Sequence, residues 1–152
     1  MAWANSYVCA RSIMDALANT TATTLAVGDA NKKIALYNTS FAQLIDDNPW
    51  SYSATNEVTG TAWPAGGVAL SLTATGISVV AGYGIMFDAV DVSVASTTLA
   101  TGIYGCVIYD NNLSPKQGIC AVYFGATGYT TSNGTFGITW DVNGIFRVQL
   151  HP

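Results

Sequence analysis

Charge is what this chain most lacks. Asp, Glu, Lys and Arg make up 9% of its 152 residues, against about 25% in an ordinary soluble domain. The five basic residues, Arg11, Lys32, Lys33, Lys116 and Arg147, include one adjacent pair, and the net charge is −4. Phosphate backbones are held by clustered cations, so this distribution argues against a nucleic-acid partner. Histidine is almost missing: His151, next to the last residue, is the only one. A Ser-His-Asp arrangement would have to be built on it, and metal-ligand spacing needs more than one imidazole or closer cysteines. Cys9, Cys106 and Cys120 are too few for a disulfide framework and odd in number. They read as small buried hydrophobes, although Cys106 and Cys120 can meet across a hairpin in some registers. No run of about 20 apolar residues occurs, so no membrane span is expected. Residues 1–18 lack the cationic start and apolar block of a signal peptide.

The remaining candidates for chemistry are acidic. Asp46-Asp47 reads as the solvated end of a short helix. Asp88 and Asp91 are three positions apart, so in an unbroken strand they face opposite ways, unlike a glycosidase pair. Asp29, Asn31 and Asp88 lack the twelve-residue pattern of a calcium loop. Gly82-Tyr83-Gly84 has no helix after it and does not make a phosphate loop. No catalytic residue, metal or cofactor is expected, and the chain reads as a non-enzyme.

What the chain has is neutral strand and turn material. Half of it is apolar, and Thr, Ser, Asn, Gly and Ala fill the place of the missing charges. The centre is the stretch 103–125, read as strands 103–109 and 119–124 joined by a turn holding Pro115 and Gly118. Apolar and polar residues alternate in a half-exposed strand. Here neither strand alternates. Ile103, Val107 and Tyr109 are placed on one face and Tyr104, Cys106 and Ile108 on the other; Ile119, Ala121 and Tyr123 oppose Cys120, Val122 and Phe124. A sheet apolar on both sides must be covered twice, by its own chain or by another protein.

Around this centre, Asn5 or Ser6 is placed as the cap of a helix running to about Ala18. Its stripe is Tyr7, Ala10, Met14 and Leu17, with Arg11, Asp15 and Asn19 off it, a candidate lid for the sheet. Residues 25–27 form a short apolar piece before a turn at 28–31, and 33–38 a strand. A second short helix is expected over 41–46, with Phe41, Leu44 and Ile45 on one side and Pro49 limiting it. Strands follow at 68–73, 77–81, 85–89 and 90–94, and residues 97–102 lead into the central hairpin. At the end, Phe136, Ile138 and Trp140 alternate with Gly137 and Thr139, and Phe146, Val148 and Leu150 with Arg147 and Gln149. With Asn143-Gly144 between them, 135–141 and 145–150 are expected to pair as an antiparallel hairpin.

The expected fold is mainly β: a single domain, an antiparallel β-sandwich or partly covered sheet, with the N-terminal helix in 1–20, one further short helix, and a β-rich core over 68–150. Between helix and core, residues 48–67 have no clear period and read as a long excursion over the surface, a length uncommon unless the loop binds something or is mobile. Its tryptophans, Trp50 and Trp63, are either anchors in an interface or plugs over their own core. The protein-interface candidates are Trp3, Trp50, Tyr52, Trp63 and Pro64.

The layout resembles a family of small structural proteins of tailed bacteriophage virions. The matching pieces are Lys33–Tyr37, a helix ending in Asp46-Asp47, Glu57-Val58-Thr59-Gly60-Thr61 with Ala65-Gly66-Gly67, and Phe87-Asp88-Ala89-Val90-Asp91-Val92. Gly105–Asp110 and Ser132-Asn133-Gly134-Thr135-Phe136 through Trp140 to Gly144-Ile145-Phe146-Arg147 complete them. The cysteines and the longer insert at Trp50–Tyr52 depart from the pattern. The resemblance implies a virion component without catalysis, assembled in the host cytoplasm. The first expectation is a capsid decoration (cement) protein bound to the major capsid protein and to neighbouring copies of itself, a homo-oligomer. Low surface charge, with its weak colloidal repulsion, suits such packing. A tail, neck or fibre-base protein is the second expectation. A carbohydrate-binding β-sandwich, stacking Trp50, Tyr52 and Trp63 on sugar rings, is the third.

Overall fold

The computed structural model describes residues 3–18, 31–42, 51–80 and 84–149. The chain is mainly β, with eleven strands and one short helix among those residues. In order they are β1 (Tyr7–Val8), α1 (Ala10–Ala18), β2 (Lys32–Tyr37), β3 (Glu57–Val58), β4 (Val68–Ala69), β5 (Leu72–Val80), β6 (Gly84–Ala89), β7 (Val92–Ile103), β8 (Gly105–Asp110), β9 (Gly118–Tyr123), β10 (Tyr129–Ile138) and β11 (Phe146–Gln149). All pairings are antiparallel. They make three sheets rather than the two facing ones of a simple sandwich. The largest has the order β1-β9-β8-β2-β3, with β4 also on β2; β10-β7 is a two-stranded ribbon, and β11-β6-β5 is a three-stranded sheet.

The central hairpin forms as expected from β8 and β9, and every residue of β8 is buried. Both faces are covered from within the chain. On the inner face Ile34, Leu36, Cys106, Ile108, Ile119 and Cys120 pack with Phe87, Leu99, Phe136 and Ile138 of the other sheets. On the outer face Ala35, Tyr37, Val107, Tyr109 and Ala121 pack with Trp3, Cys9 and Phe41. Each large aliphatic or aromatic side chain buried in this way contributes roughly 1.5–3 kcal/mol. Three residues, Ile103, Tyr104 and Ile119, change sides relative to the expected faces. Ile119 joins the inner core because the register shifts between Ile108 and Tyr109, leaving one extra residue on β9. Ile103 also points inward, because the strand breaks at Tyr104, whose N–H donates to the Tyr37 carbonyl across the sheet (2.9 Å).

The helix starts later than its sequence suggests. Residues 7–8 are used as β1, paired with Ala121 and Cys120, and the Cys9 N–H donates to the Ile119 carbonyl before α1 begins at Ala10. Among the described side chains of α1 the buried ones are polar: the Ser12 hydroxyl donates to the Gly118 carbonyl, and Asp15 accepts from Gln117 Nε2 at 2.9 Å and pairs with Arg11 at 2.8 Å. Met14, expected on the apolar stripe, is 58% exposed. The physical reason is position. The helix lies against the start of β9, where backbone groups need donors and acceptors, while the outer face of the sheet is closed by the extended chain around Trp3 and Cys9.

The C-terminal hairpin is a correction. Thr135–Ile138 and Phe146–Gln149 are strands, but they do not pair with each other: β10 pairs with β7 and β11 with β6. The turn at Asn143-Gly144 exists, with Gly144 at φ +81° and its N–H donating to the Asp141 carbonyl. It is a corner between two sheets. The Trp140 N–H donates to Asp91 Oδ1 (3.0 Å), Trp140 Nε1 to the Val90 carbonyl (3.2 Å), and the Ile145 N–H to the Phe87 carbonyl (2.9 Å). The chain thus follows the bend between β6 and β7. Upstream, β5 runs through Gly76 as one strand, with a register irregularity between Leu72 and Ile77 where a turn was expected. Residues 97–102 belong to the long β7. Of the second expected helix, Phe41 and Ala42 are described and Leu44 and Ile45 lie outside the described residues, as do 25–27, Asp29, Asp46, Asp47, Gly82 and His151.

Candidate functional site

The five interface candidates separate into different environments. Trp3 is buried, and its ring lies against Phe41 and Tyr123, with centroids 4.8 and 6.0 Å away. Its Nε1–H donates to the Asn5 carbonyl, and its backbone N–H to the Thr39 carbonyl. Gly105 makes the seat: a Cβ there would run into the indole and into the Val122 carbonyl oxygen. Trp3 is therefore a core residue of the outer face, with no surface to give a partner.

Trp63 is fully buried in the inner core, edge-on to Phe136 with centroids 5.5 Å apart. Its loop is pinned by reciprocal backbone bonds with Gly60 (2.9 and 3.1 Å), and Ala62 sits at φ +62° to make the reversal. Of the two roles open to this tryptophan, it fills that of a plug. Residues 51–67 are correspondingly more than a surface loop, since they supply β3 to the main sheet and Trp63 to the core. Pro64 is exposed beside the plug. Trp50 lies outside the described residues.

Tyr52 is half-buried and takes part in an aromatic clamp. Its ring stacks on Tyr109 with centroids 4.6 Å apart, and its hydroxyl donates to Glu57 Oε2 at 2.7 Å. Glu57 Oε1 accepts the Gly66 N–H (2.8 Å), and the Tyr109 hydroxyl donates to the Gly66 carbonyl (2.6 Å). The Tyr37 hydroxyl donates to the Ser53 carbonyl (2.6 Å), and Lys116 Nζ lies 5.4 Å from the Tyr52 ring and 5.9 Å from that of Tyr109. Burial pushes the phenols up, the nearby Glu57 carboxylate adding to it: Tyr109 to about 12, Tyr37 and Tyr52 further. Phenols held neutral in this way are poor bases and nucleophiles. What the group does is fasten residues 51–67 onto the main sheet.

Of the acids singled out in the sequence, Asp88 and Asp91 are among the described residues. Asp91 holds the Trp140 N–H at the corner, while Asp88 is in β6. No group of three or more His, Cys, Asp or Glu side chains that could hold a metal occurs among the described residues. The cysteines are free and buried. Desolvation raises the Cys9 thiol to about 12 and lifts Cys106 and Cys120 as well, so none is poised as a nucleophile.

The apolar groups that do reach the surface are different ones. Val79 is 84% exposed, Ile77 42% and Ile85 41%, all on the three-stranded sheet. Val79 faces Ile85, which faces Val148, and the next row is Ile77, Phe87 and Phe146. One face of this sheet thus runs from the core, at buried Phe87, out to the solvent at Val79. The alternation of Phe146 with Val148 was visible in the sequence; where the covering layer stops was not. An open hollow of about 340 Å³ lies elsewhere, lined by Phe124, Tyr129, Phe136, Gly137, Ile138 and Thr139, with no charged side chain. Compared with known protein families, curated proteins and solved structures, the chain gives no match.

Proposed function

We propose that this chain is a non-enzymatic structural subunit of a tailed bacteriophage particle, foremost a capsid decoration protein seated on the major capsid protein lattice beside copies of itself. The observation that carries the reading is the contrast between a sealed interior and a nearly uncharged exterior. The central sheet is covered on both faces by its own chain, so no partner is needed to complete the fold. Outside it, apolar side chains such as Val79, Val90 and Tyr129 are exposed on a chain with 9% charged residues. Such a surface favours packing in a crowded array over free diffusion. In an array, many weak contacts repeated by symmetry hold each copy, because multivalent placement raises the effective concentration. The resemblance of the sequence motifs to small virion proteins supports the same reading.

A tail, neck or fibre-base subunit draws on the same properties and differs in copy number. Sugar binding draws less support, since Trp63 has no exposed face and Tyr52 gives one side of its ring to Tyr109. The test is to locate and count the protein in purified particles by gel densitometry with electron microscopy. Hundreds of copies on the shell are expected. Tens or fewer at one vertex would move the protein to the tail or neck, and absence from particles would overturn both virion roles.

A further inference from the structure

We infer that the outer edge of β5, Ile77–Val80, is a self-association surface that pairs antiparallel with the same edge of a second copy and extends the three-stranded sheet across a two-fold axis. This deepens the proposed function by naming where copies meet, and it rests on that reading for its setting. β5 is the last strand in the order β11-β6-β5, and among the described residues the backbone of Ile77–Val80 has β6 as its only ladder partner. Unpaired edges of this kind are normally blunted by Lys, Pro or an inward-pointing charge. The β5 sequence LTATGISVV has none of these. A bulge is another such device, but the register irregularity of β5 lies before Ile77 and leaves Ile77–Val80 in regular register.

The occupant follows from charge and shape. A partner chosen by electrostatics gains nothing from an edge without charge. An extended, neutral segment with apolar residues two apart gains the backbone bonds and a continuation of the apolar row through Val79 and Ile85. The chain carries such a segment in β5 itself. Copies with a net charge of −4 repel one another generally, but at this edge strand meets strand with no carboxylate on either. Two-fold antiparallel pairing is self-complementary, so each copy supplies what the other lacks. A strip this narrow falls below the roughly 1,600 Å² of a standard interface. The dimer is therefore weak in free solution and gains from the crowding of an array.

Sedimentation equilibrium of the full chain, run up to its highest soluble concentration without particles, tests this. A concentration-dependent monomer–dimer equilibrium is expected. Val79→Lys and, separately, Ile77→Lys each place like charges at the dyad and raise the dissociation constant about tenfold or more. Val142→Lys, on the 91% exposed residue of the 141–144 turn, leaves it unchanged. Thermal melts accompany each variant; Val79→Lys, at a side chain already in solvent, keeps the melting temperature of the parent. A chain that stays monomeric throughout, or a dimer indifferent to both lysines, overturns the inference. Because no particle is present, a dimer absent from virions would sink the proposed function alone, and a virion-bound monomer would sink this inference alone.

Discussion

Lys32 and Asp110 stand directly opposite each other on β2 and β8, with Nζ 2.9 Å from Oδ2 and both side chains closed off from solvent. Asp110 Oδ1 also accepts the Asn112 N–H at 2.8 Å, which holds the carboxylate at the mouth of the central turn. Lys32→Met leaves that carboxylate buried without its cation and is expected to cost about 3–5 kcal/mol. The double variant Lys32→Met, Asp110→Leu should recover most of the loss, because apolar side chains of similar volume replace a buried pair at little cost. Urea unfolding of the four proteins in the cycle measures the coupling. A single variant as stable as the parent would show that the pair is not desolvated in solution.

Gly105 and Trp3 are coupled by space rather than by charge. Gly105→Ala puts a methyl group into the indole seat and is expected to destabilise by about 1–3 kcal/mol. In the Trp3→Leu background the same substitution should cost less. Denaturation of both pairs checks this, and unchanged cost in the two backgrounds would place Trp3 elsewhere.

Trp63→Ala should lower stability by about 3–5 kcal/mol, as expected for removing a large aromatic plug from a core. Pro64→Ala, at the exposed neighbour, should change stability by under about 0.5 kcal/mol. Particle binding by the folded fraction of Trp63→Ala should match the parent. Loss of binding without loss of stability would return Trp63 to the role of an interface anchor.

The thiols and phenols set an alkaline limit. Cys9 titrates from an ordinary 9.0 in the unfolded chain and near 12 in the folded one because burial disfavours the thiolate. A folded pKa above the unfolded one means that this stabilisation is complete below about pH 9 and is lost as pH rises towards 12. Tyr37 and Tyr52, also raised by burial, add to the loss above their ordinary value of 10.0. Urea midpoints should hold steady up to about pH 9 and fall beyond it. A thiol reagent at pH 8 should label the cysteines only as fast as the protein opens, and all three at once in denaturant. Rapid labelling of one cysteine in the native protein would contradict the burial.

The sequence by itself determined most of the strands, though not β1 or β3, and which of them need cover on both sides. Period-two alternation, or its failure in 103–109 and 119–124, is a local property, as is the Asn143-Gly144 reversal. Those features all appear in the structure. Which strand lies beside which is a different kind of fact. β10 and β11 each alternate cleanly, yet alternation says only which way a side chain points, and backbone pairing chose β7 and β6 as their neighbours. In the same way, an aromatic residue in a segment without period can face either way, and only the assembled core showed that Trp3 and Trp63 fill gaps in it. Exposure of Val79 was hidden for the converse reason: its own sequence is that of a buried strand, and the layer that would bury it ends at Phe87. Chain-local sterics set the elements; contacts between residues distant along the chain set their neighbours, and those depend on every other element being in place.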